Sequence, residues 1–464
     1  EDLGQTRHKE AEQARDYYEG KHALAFVIER FETIFATKFL ANLKDNLCAA
    51  VIDSLTDRLE LTGLSSSEAR HERMTGEDGK MRVRISDPLA SAAWALWWRN
   101  DMDQRSNEVY REAFLAGDGF AIVWPDKSNR AAIWTPPADE MAVAYSEETP
   151  GVIDVAARRW RDRAGRWRLN LYYPDHIERY ATEPKDVVRS PVARAAARTA
   201  KLLGINRSST EGFKELEEAD NPYGRVPVFH FSNKRLYDYG IGELGDVIPL
   251  QDGLNKSVCD LFVNMEFAAF PQRWATGLEV EVDEATGKVK APPFTPGVDR
   301  IFATGNEAAA FGQFAATDLS QFLKVQDSLR AEIARVSGIP LHYLYLGEHD
   351  FPSGEAMKTA EARFSKKIRD RQTSYGNVWQ QALTFALKIE EVDYPDNFEL
   401  KTLWVAPTPR SEEEHARTLE MKQSIGVPQR QLWKEAGYSE DEIELMEEEA
   451  AASPPPAPPI DAGR

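Results

Sequence analysis

The spacing of hydrophobic positions changes several times along the chain, and each change predicts an element. Over 8–62 an acid- and lysine-rich start gives way to Leu43, Leu47, Val51, Leu55 and Leu59 close to one face, which reads as helix. Residues 64–80 are polar and punctuated by glycine, the pattern of a loop. The stretch SAAWALWWRNDMDQRSNEVYREAFLAGDGFAIVWPD resumes helix, stops at Gly117 and Gly119, and passes into a strand over 120–124. Aromatic and β-branched residues alternate imperfectly with charges over 131–182, as in antiparallel strands. Residues 184–221 form a polar, arginine-containing insertion with weak local signals, and NPYGRVPVFHFSNKRL holds a proline-bounded strand.

From 242 onward the pattern becomes helical and long. Val247, Leu250, Leu254, Val258, Leu261, Met265 and Ala268 recur at steps of three or four, a helix of about seven turns closed by Pro271. Residues 278–302 read as short strands about a turn. A second helix is expected over 315–336, with Leu319, Phe322, Leu329, Ile333 and Val336 on its apolar side and SGIP as its stop. A third covers 355–390 through Met357, Ala360, Phe364, Ile368, Tyr375, Val378, Ala382, Phe385 and Ile389, with Gly376 as the candidate bend. Residues 398–406 look strand-like, 411–450 form a smaller acidic helical piece, and SPPPAPPIDAGR is compositionally a flexible end. The fold class expected is α+β.

Composition narrows the function classes. A chain of 464 residues, 42% of them hydrophobic, is expected to form two or more domains with substantial cores. Its net charge of −19 argues against a general nucleic-acid-binding surface, which gains affinity by neutralising phosphates, although DNA could pass nearby without sticking. Cys48 and Cys259 lie in apolar helical patterns and read as buried free thiols. No apolar run is long enough for a transmembrane helix and no signal peptide is visible; the acidic start at Glu1 suggests that the natural chain begins upstream.

The stretch LYLGEHDFPSGEAMKTAEARF, residues 344–364, gathers candidate chemistry. A metal would need nitrogen and carboxylate ligands converging at about 2 Å, and His342, Glu348, His349 and Asp350 match no spacing that enforces this. They read as polar loop residues. No phosphate-binding glycine motif occurs, and Gly240, Gly242 and Gly245 read as a turn into the following helix. Trp94, Trp97 and Trp98 are spaced for helix packing rather than for a ligand cage. Asp101 and Asp103 lack a partnering histidine or second acid cluster, and no nucleophilic triad is specified. These residues specify no enzyme, cofactor or metal.

One ordered set of stretches carries a family resemblance. It comprises YYEGKH (17–22), DSLTDRLELTGL (53–64), WWRNDMD (97–103), YREAFLAGDGFAIVW (110–124) and NPYGRVPVFHFSNK (221–234). GELGDVIPLQDGLNKSVCDLFVNMEFAAFPQRWATG (242–277), SGIPLHYL (337–344), SGEAMKTAEARF (353–364) and Trp379 complete it. Their order over about 400 residues resembles the portal proteins of tailed double-stranded DNA phages, the large portal family of the siphophage type.

The resemblance implies a portal fold assembled as a ring, normally of twelve subunits, at one capsid vertex. Mapped onto this chain, it implies a wing over 1–241, stem helices over 242–270 and 313–338, and a clip over 271–312. A tunnel loop follows at 339–355, then a long bent helix with wing completion at 356–410, a short crown at 411–450 and a tail at 451–464. The loop residues Glu348, His349, Asp350, Ser353 and Gly354 would face the DNA channel, where acids repel the polyanion and avoid stalling it. Glu279, Glu281, Lys288 and Lys290 would lie in the clip. The implied partners are further copies of the chain in a dodecamer, the major capsid protein, the terminase large subunit, the head-to-tail adaptor and double-stranded DNA in weak non-specific contact, with no membrane. The implied location is the virion, after assembly in the host cytoplasm, and ATP hydrolysis would belong to the separate terminase. The rival readings are a structural or assembly protein without a channel and, further off, a metal-dependent nuclease or hydrolase using the 348–350 acids.

Overall fold

The computed structural model describes residues 3–24, 44–68, 70–75, 81–182, 213–269, 273–277, 307–314, 318–344, 354–407, 412–436, 443, 446 and 447. In chain order these form α1 (Leu3–Tyr18), α2 (Leu47–Thr56), β1 (Leu61–Ser66), β2 (Arg70–Thr75), β3 (Met81–Ser86), α3 (Pro88–Arg99) and α4 (Met102–Ala116). Next come β4 (Asp118–Pro125), β5 (Ala131–Trp134), β6 (Met141–Tyr145), β7 (Ile153–Arg161), β8 (Trp167–Tyr172), β9 (His176–Thr182), β10 (Phe213–Asp220) and β11 (Val228–Ser232). The remainder is α5 (Ile248–Ala269), β12 (Arg273–Thr276), β13 (Ala310–Gln313), α6 (Ser320–Ser337), α7 (Gly354–Ile389), β14 (Leu400–Trp404), α8 (Glu412–Ser424) and α9 (Gln429–Glu435). The fold is α+β, and the pairs β1–β14, β2–β3, β11–β4, β12–β13 and those running from β6 to β10 are antiparallel.

The chain divides into two compact units, the first made of Glu1–Asp57, Gln104–Val123 and Ile133–Phe364. Its largest sheet has the order β10-β9-β8-β7-β6. Ala157, Leu169, Leu171, Tyr180 and Phe213 form a buried cluster on it. At the β6 edge the Tyr239 hydroxyl serves Val143 twice, accepting from its N–H at 3.1 Å and donating to its carbonyl at 2.6 Å. The opposite edge is β10, FKELEEAD, whose exposed charges disfavour edge-to-edge pairing with other strands. In the second sheet β11 pairs with β4 in the register Val228↔Ile122. Asp118, at the start of β4, is fully buried, and so it needs several partners. It lies 2.6 Å from His230 Nε2 and accepts from the Gly240 N–H at 2.8 Å and from Arg7 at 2.5 Å. The sequence pattern NPYGRVPVFHFSNK thus supplies both a strand and the histidine that faces Asp118.

The second unit is Arg58–Asp103, Trp124–Ala132 and Ser365–Arg464. Its core is the C-terminal half of α7, where Tyr375, Trp379, Ala382, Leu383 and Ala386 are wholly removed from solvent. Trp97 of α3 meets Trp379 edge-on at 5.1 Å between ring centroids. This is packing, as the helical spacing of the tryptophans predicted. Strand β1 pairs with β14 through Leu64↔Thr402. Asp87 fixes two elements at once: it caps α3 by accepting from the Ala90 N–H at 3.0 Å, and it accepts from Ser66 N–H and Oγ of β1, both at 2.7 Å. Pro88 at the first helical position suits that cap.

Several expectations are corrected. Residues 8–62 are not one helix: α1 ends at Tyr18, Gly20 turns the chain at φ +68°, and β1 begins at Leu61. The expected loop over 64–80 contains the end of β1 and the first strand of the β2–β3 hairpin. The tryptophan-rich helix is two helices, broken at Asp101, whose φ of 52° lies outside helical geometry. Strand β10 occupies the end of the 184–221 insertion, whose local signals are weak. A further feature of α7 is steric and adds to the expectation for Gly376: a Cβ there would stand 2.4 Å from Thr402 Oγ1, so glycine eases the approach of β14 to the helix.

Candidate functional site

The helix pair predicted from the three-and-four spacing is present as α5 and α6, which pack together. Gly253 of α5 faces the Leu329 methyls of α6, where an added Cβ would make ordinary contact at 3.7 Å. Buried positions on α5 include Leu254, Cys259 and Val263, and on α6 Ile333, Ala334 and Ser337. The helical stop works as the sequence indicates: Gly338 adopts φ 71°, ψ 21° and donates its N–H to the Ala334 carbonyl at 2.9 Å.

One face of α5 is polar and nonetheless buried. Gln251 and Asn255, one turn apart, are 0% and 1% exposed, so their amides must be satisfied within the protein. Gln251 accepts from the Leu47 N–H at 3.0 Å, and Asn255 from the Asp45 N–H at 3.1 Å. Asp252 accepts from the Tyr17 hydroxyl at 2.7 Å, and from α6 the Arg330 guanidinium reaches Asp45 at 2.9 Å. The stretch YYEGKH is the matching half of this attachment. His22 stacks on Tyr17 at 3.9 Å, lies 3.2 Å from the Asn255 amide nitrogen, and has its carbonyl and that of Gly20 bound by Lys44.

Burial sets the protonation states here. It pushes the Tyr17 hydroxyl well above its ordinary value, with the Asp252 bond adding to the effect. The Cys48 thiol is raised to about 12, first by burial and then by Asp252, which makes it inert at neutral pH. Both Cys48 and Cys259 are buried free thiols, as expected. His22 is pushed below the usual histidine range by burial and then by the Lys44 charge, and is neutral at pH 7.

After α6 the chain makes a short 3₁₀ turn, Leu341–Tyr343, before residues 345–353. Ile339 and Leu344 are buried on either side of it. The Tyr343 ring sits edge-on to Phe364 at 5.6 Å, its hydroxyl donates to Glu361 at 3.3 Å, and His342 Nε2 lies 3.3 Å from the same carboxylate oxygen.

At the other end of the pair, β12 and β13 flank the 278–306 span and pair through Trp274↔Gly312. The Trp274 indole lies over Gly312 so closely that a Cβ there would fall 2.4 Å from the ring. Large apolar side chains are left exposed at this end. They are Met265 of α5, Leu323 and Val325 of α6, Trp274, and Phe311 with Phe314, the last 60% exposed.

The sequence-predicted site residues are unevenly placed. Glu348, His349, Asp350 and Ser353 lie outside the described residues, as do Glu279, Glu281, Lys288 and Lys290. Gly354, expected in the loop, opens α7 instead. His342 is joined to Glu361. Among the described residues no group of three or more His, Cys, Asp or Glu is arranged to hold a metal ion. Sequence reasoning missed Asp45, Gln251, Asn255 and Glu361. Nothing in the sequence singled out Gln251 and Asn255, which share their helix with Asp252, Lys256, Asp260 and Asn264.

The sequence profile of a family described as phage portal protein, SPP1 Gp6-like, matches residues 67–455. The portal protein of Mycobacterium phage D29 is 29% identical over 379 residues, covering 79% of this chain and 73% of that protein. That of Mycobacterium phage L5 is 24% identical over 376 residues, with the same coverage. Among solved structures, a chain from the neck of an empty gene transfer agent particle, computed with C6 symmetry, aligns at TM-score 0.46 and 13% identity. It covers 92% of this chain and 93% of that one. A chain from the virion of the native particle aligns at TM-score 0.44 and 13% identity, covering 88% and 89%.

Proposed function

Because this chain belongs to the phage portal protein family, SPP1 Gp6-like, we propose that it is the subunit of a ring enclosing the channel for genomic DNA at a capsid vertex. The observation that carries this reading is the exposure of the large apolar side chains Met265 near the end of α5, Leu323 and Val325 near the start of α6, and Phe311 and Phe314 on and beside β13. Several large exposed apolar side chains call for cover, and in a closed ring each copy covers the next. The ring is assigned about twelve copies, the number the family resemblance implies, closed by cyclic symmetry.

In this reading α5 and α6 are the stem, residues 1–241 and 356–410 the wing, 271–312 the clip, 339–355 the tunnel loop and 411–450 the crown. Glu348 and Asp350 face DNA and repel it, which keeps contact weak during packaging and ejection. The clip, with Glu279, Glu281, Lys288 and Lys290, docks the terminase large subunit during packaging and the head-to-tail adaptor afterwards, and the ring's rim meets the major capsid protein. Native mass spectrometry of the purified chain, with negative-stain imaging, tests the reading. A ring with a central hole and a mass of about twelve chains is expected, and a compact monomer or dimer would overturn it.

A further inference from the structure

The buried carboxylate of Glu361 points to a positioning device. Glu361 stands on α7, two turns past its start, and is only 9% exposed. A carboxylate removed from water needs donors, and among the described residues its partners are His342 and Tyr343. Both come from the single turn by which the chain leaves α6, and both address the same oxygen, Oε1, at 3.3 Å. One turn further along α7, Phe364 is 1% exposed and receives the edge of the Tyr343 ring. The chain enters the 345–353 segment through the 341–343 turn and leaves it at the start of α7. A tie from Glu361 to that turn therefore fixes the entry relative to the exit.

We infer that Glu361 is a latch, a positioning residue that holds the 341–343 turn against α7 and so sets where the two ends of the intervening segment stand. The inference deepens the proposed function, because in that reading the segment is the loop at the DNA channel. The latch acts through the Tyr343 hydroxyl and the His342 imidazole; the Tyr343–Phe364 ring contact is a separate, apolar fastening. The fastening at the carboxylate rests on one hydroxyl donor and a neighbouring imidazole rather than on packed volume.

The test is amide hydrogen exchange on the purified full-chain assembly without DNA, read at peptides covering 339–344 and, as a control, 326–337. Tyr343→Phe keeps the ring on Phe364 and removes only the hydroxyl, and Glu361→Ala removes the acceptor. Both are expected to speed exchange at 341–344 about tenfold, the effect of losing a buried hydrogen bond, and to leave the control peptide unchanged. Glu361→Gln, which keeps an oxygen at the same reach, is expected to restore most of the protection. Exchange at 341–344 equal to that of the parent in both Tyr343→Phe and Glu361→Ala would overturn the latch. DNA retention in assembled particles is scored separately. Faster exchange with unchanged retention would leave the latch standing and count against the channel-facing reading of the loop.

Discussion

The C-terminal half of α7 and the N-terminal half of α6 are both regular amphipathic helix, yet they dispose of their apolar residues differently. Tyr375, Trp379, Leu383 and Ala386 of α7 are fully buried, with Trp97 packed against Trp379. On α6, Leu323 and Val325 are about half exposed, 52% and 50%; the amide Gln326 is buried in this half, and the buried apolar positions, Ile333 and Ala334, lie further along. A helix gains most of its stability from what covers its apolar face. The α7 segment finds that cover within its own chain, and the cover for the start of α6 is assigned here to a second copy.

The comparison can be broken most forcefully at Trp379. Trp379→Ala should cost about 3–5 kcal/mol, the usual loss for a large buried aromatic, and should appear as an early unfolding transition in urea or on heating. A loss below about 1 kcal/mol would mean that this core is less tightly packed than its burial indicates. Substituting the start of α6 should have the opposite profile. Leu323→Glu with Val325→Glu should change the stability of the single chain by less than about 0.5 kcal/mol each, as for exposed positions, while reducing the assembled mass to that of one chain. A ring of undiminished mass would show that these side chains face no neighbour.

The smallest effect is expected at a buried polar side chain away from both helices, His22. Its pKa is depressed in the folded state, so between the folded and unfolded values the unfolded chain binds more protons. Stability should therefore be complete above the ordinary histidine value of about 6.5 and fall as pH drops through it, levelling off below the folded value. His22→Gln should flatten this component of the dependence. Urea midpoints at pH 7.5 and pH 5 for the two proteins check it, and equal slopes would remove His22 as the cause.

How far each element could be read depends on where its partner lies in the chain. α5, α6 and α7 were legible because a helix closes its hydrogen bonds within a few residues and its apolar period is visible locally. The SGIP stop was legible for the same reason, since Gly338 answers only to the preceding turn. Strand β1 was not, because its partner β14 lies more than 300 residues away, as in Leu64↔Thr402, and nothing near LTGLSS signals it. Strand β10 was hidden because its residues are charged and exposed, without the alternation that marks a half-buried strand. At the candidate site the sequence drew attention to acids and histidines by their nearness in the chain, but Glu361 is picked out by its distance from His342 in space.

By itself, then, the sequence determined the long helices, their stops, the buried thiols and the family, because each of these rests on local spacing or on the order of motifs along the chain. Tertiary structure alone decided which polar residues are buried and what they hold. Gln251, Asn255 and Glu361 look like ordinary surface residues in the sequence, and only burial turns their unmet hydrogen-bonding capacity into attachments to Leu47, Asp45 and the 341–343 turn. Gly376 shows the same division: the sequence offers a weak point in a helix, and the nearness of the Thr402 and Trp404 side chains means a Cβ there would force them to move. The physical reason is that desolvation and close approach are properties of neighbours in space, which spacing along the chain does not encode.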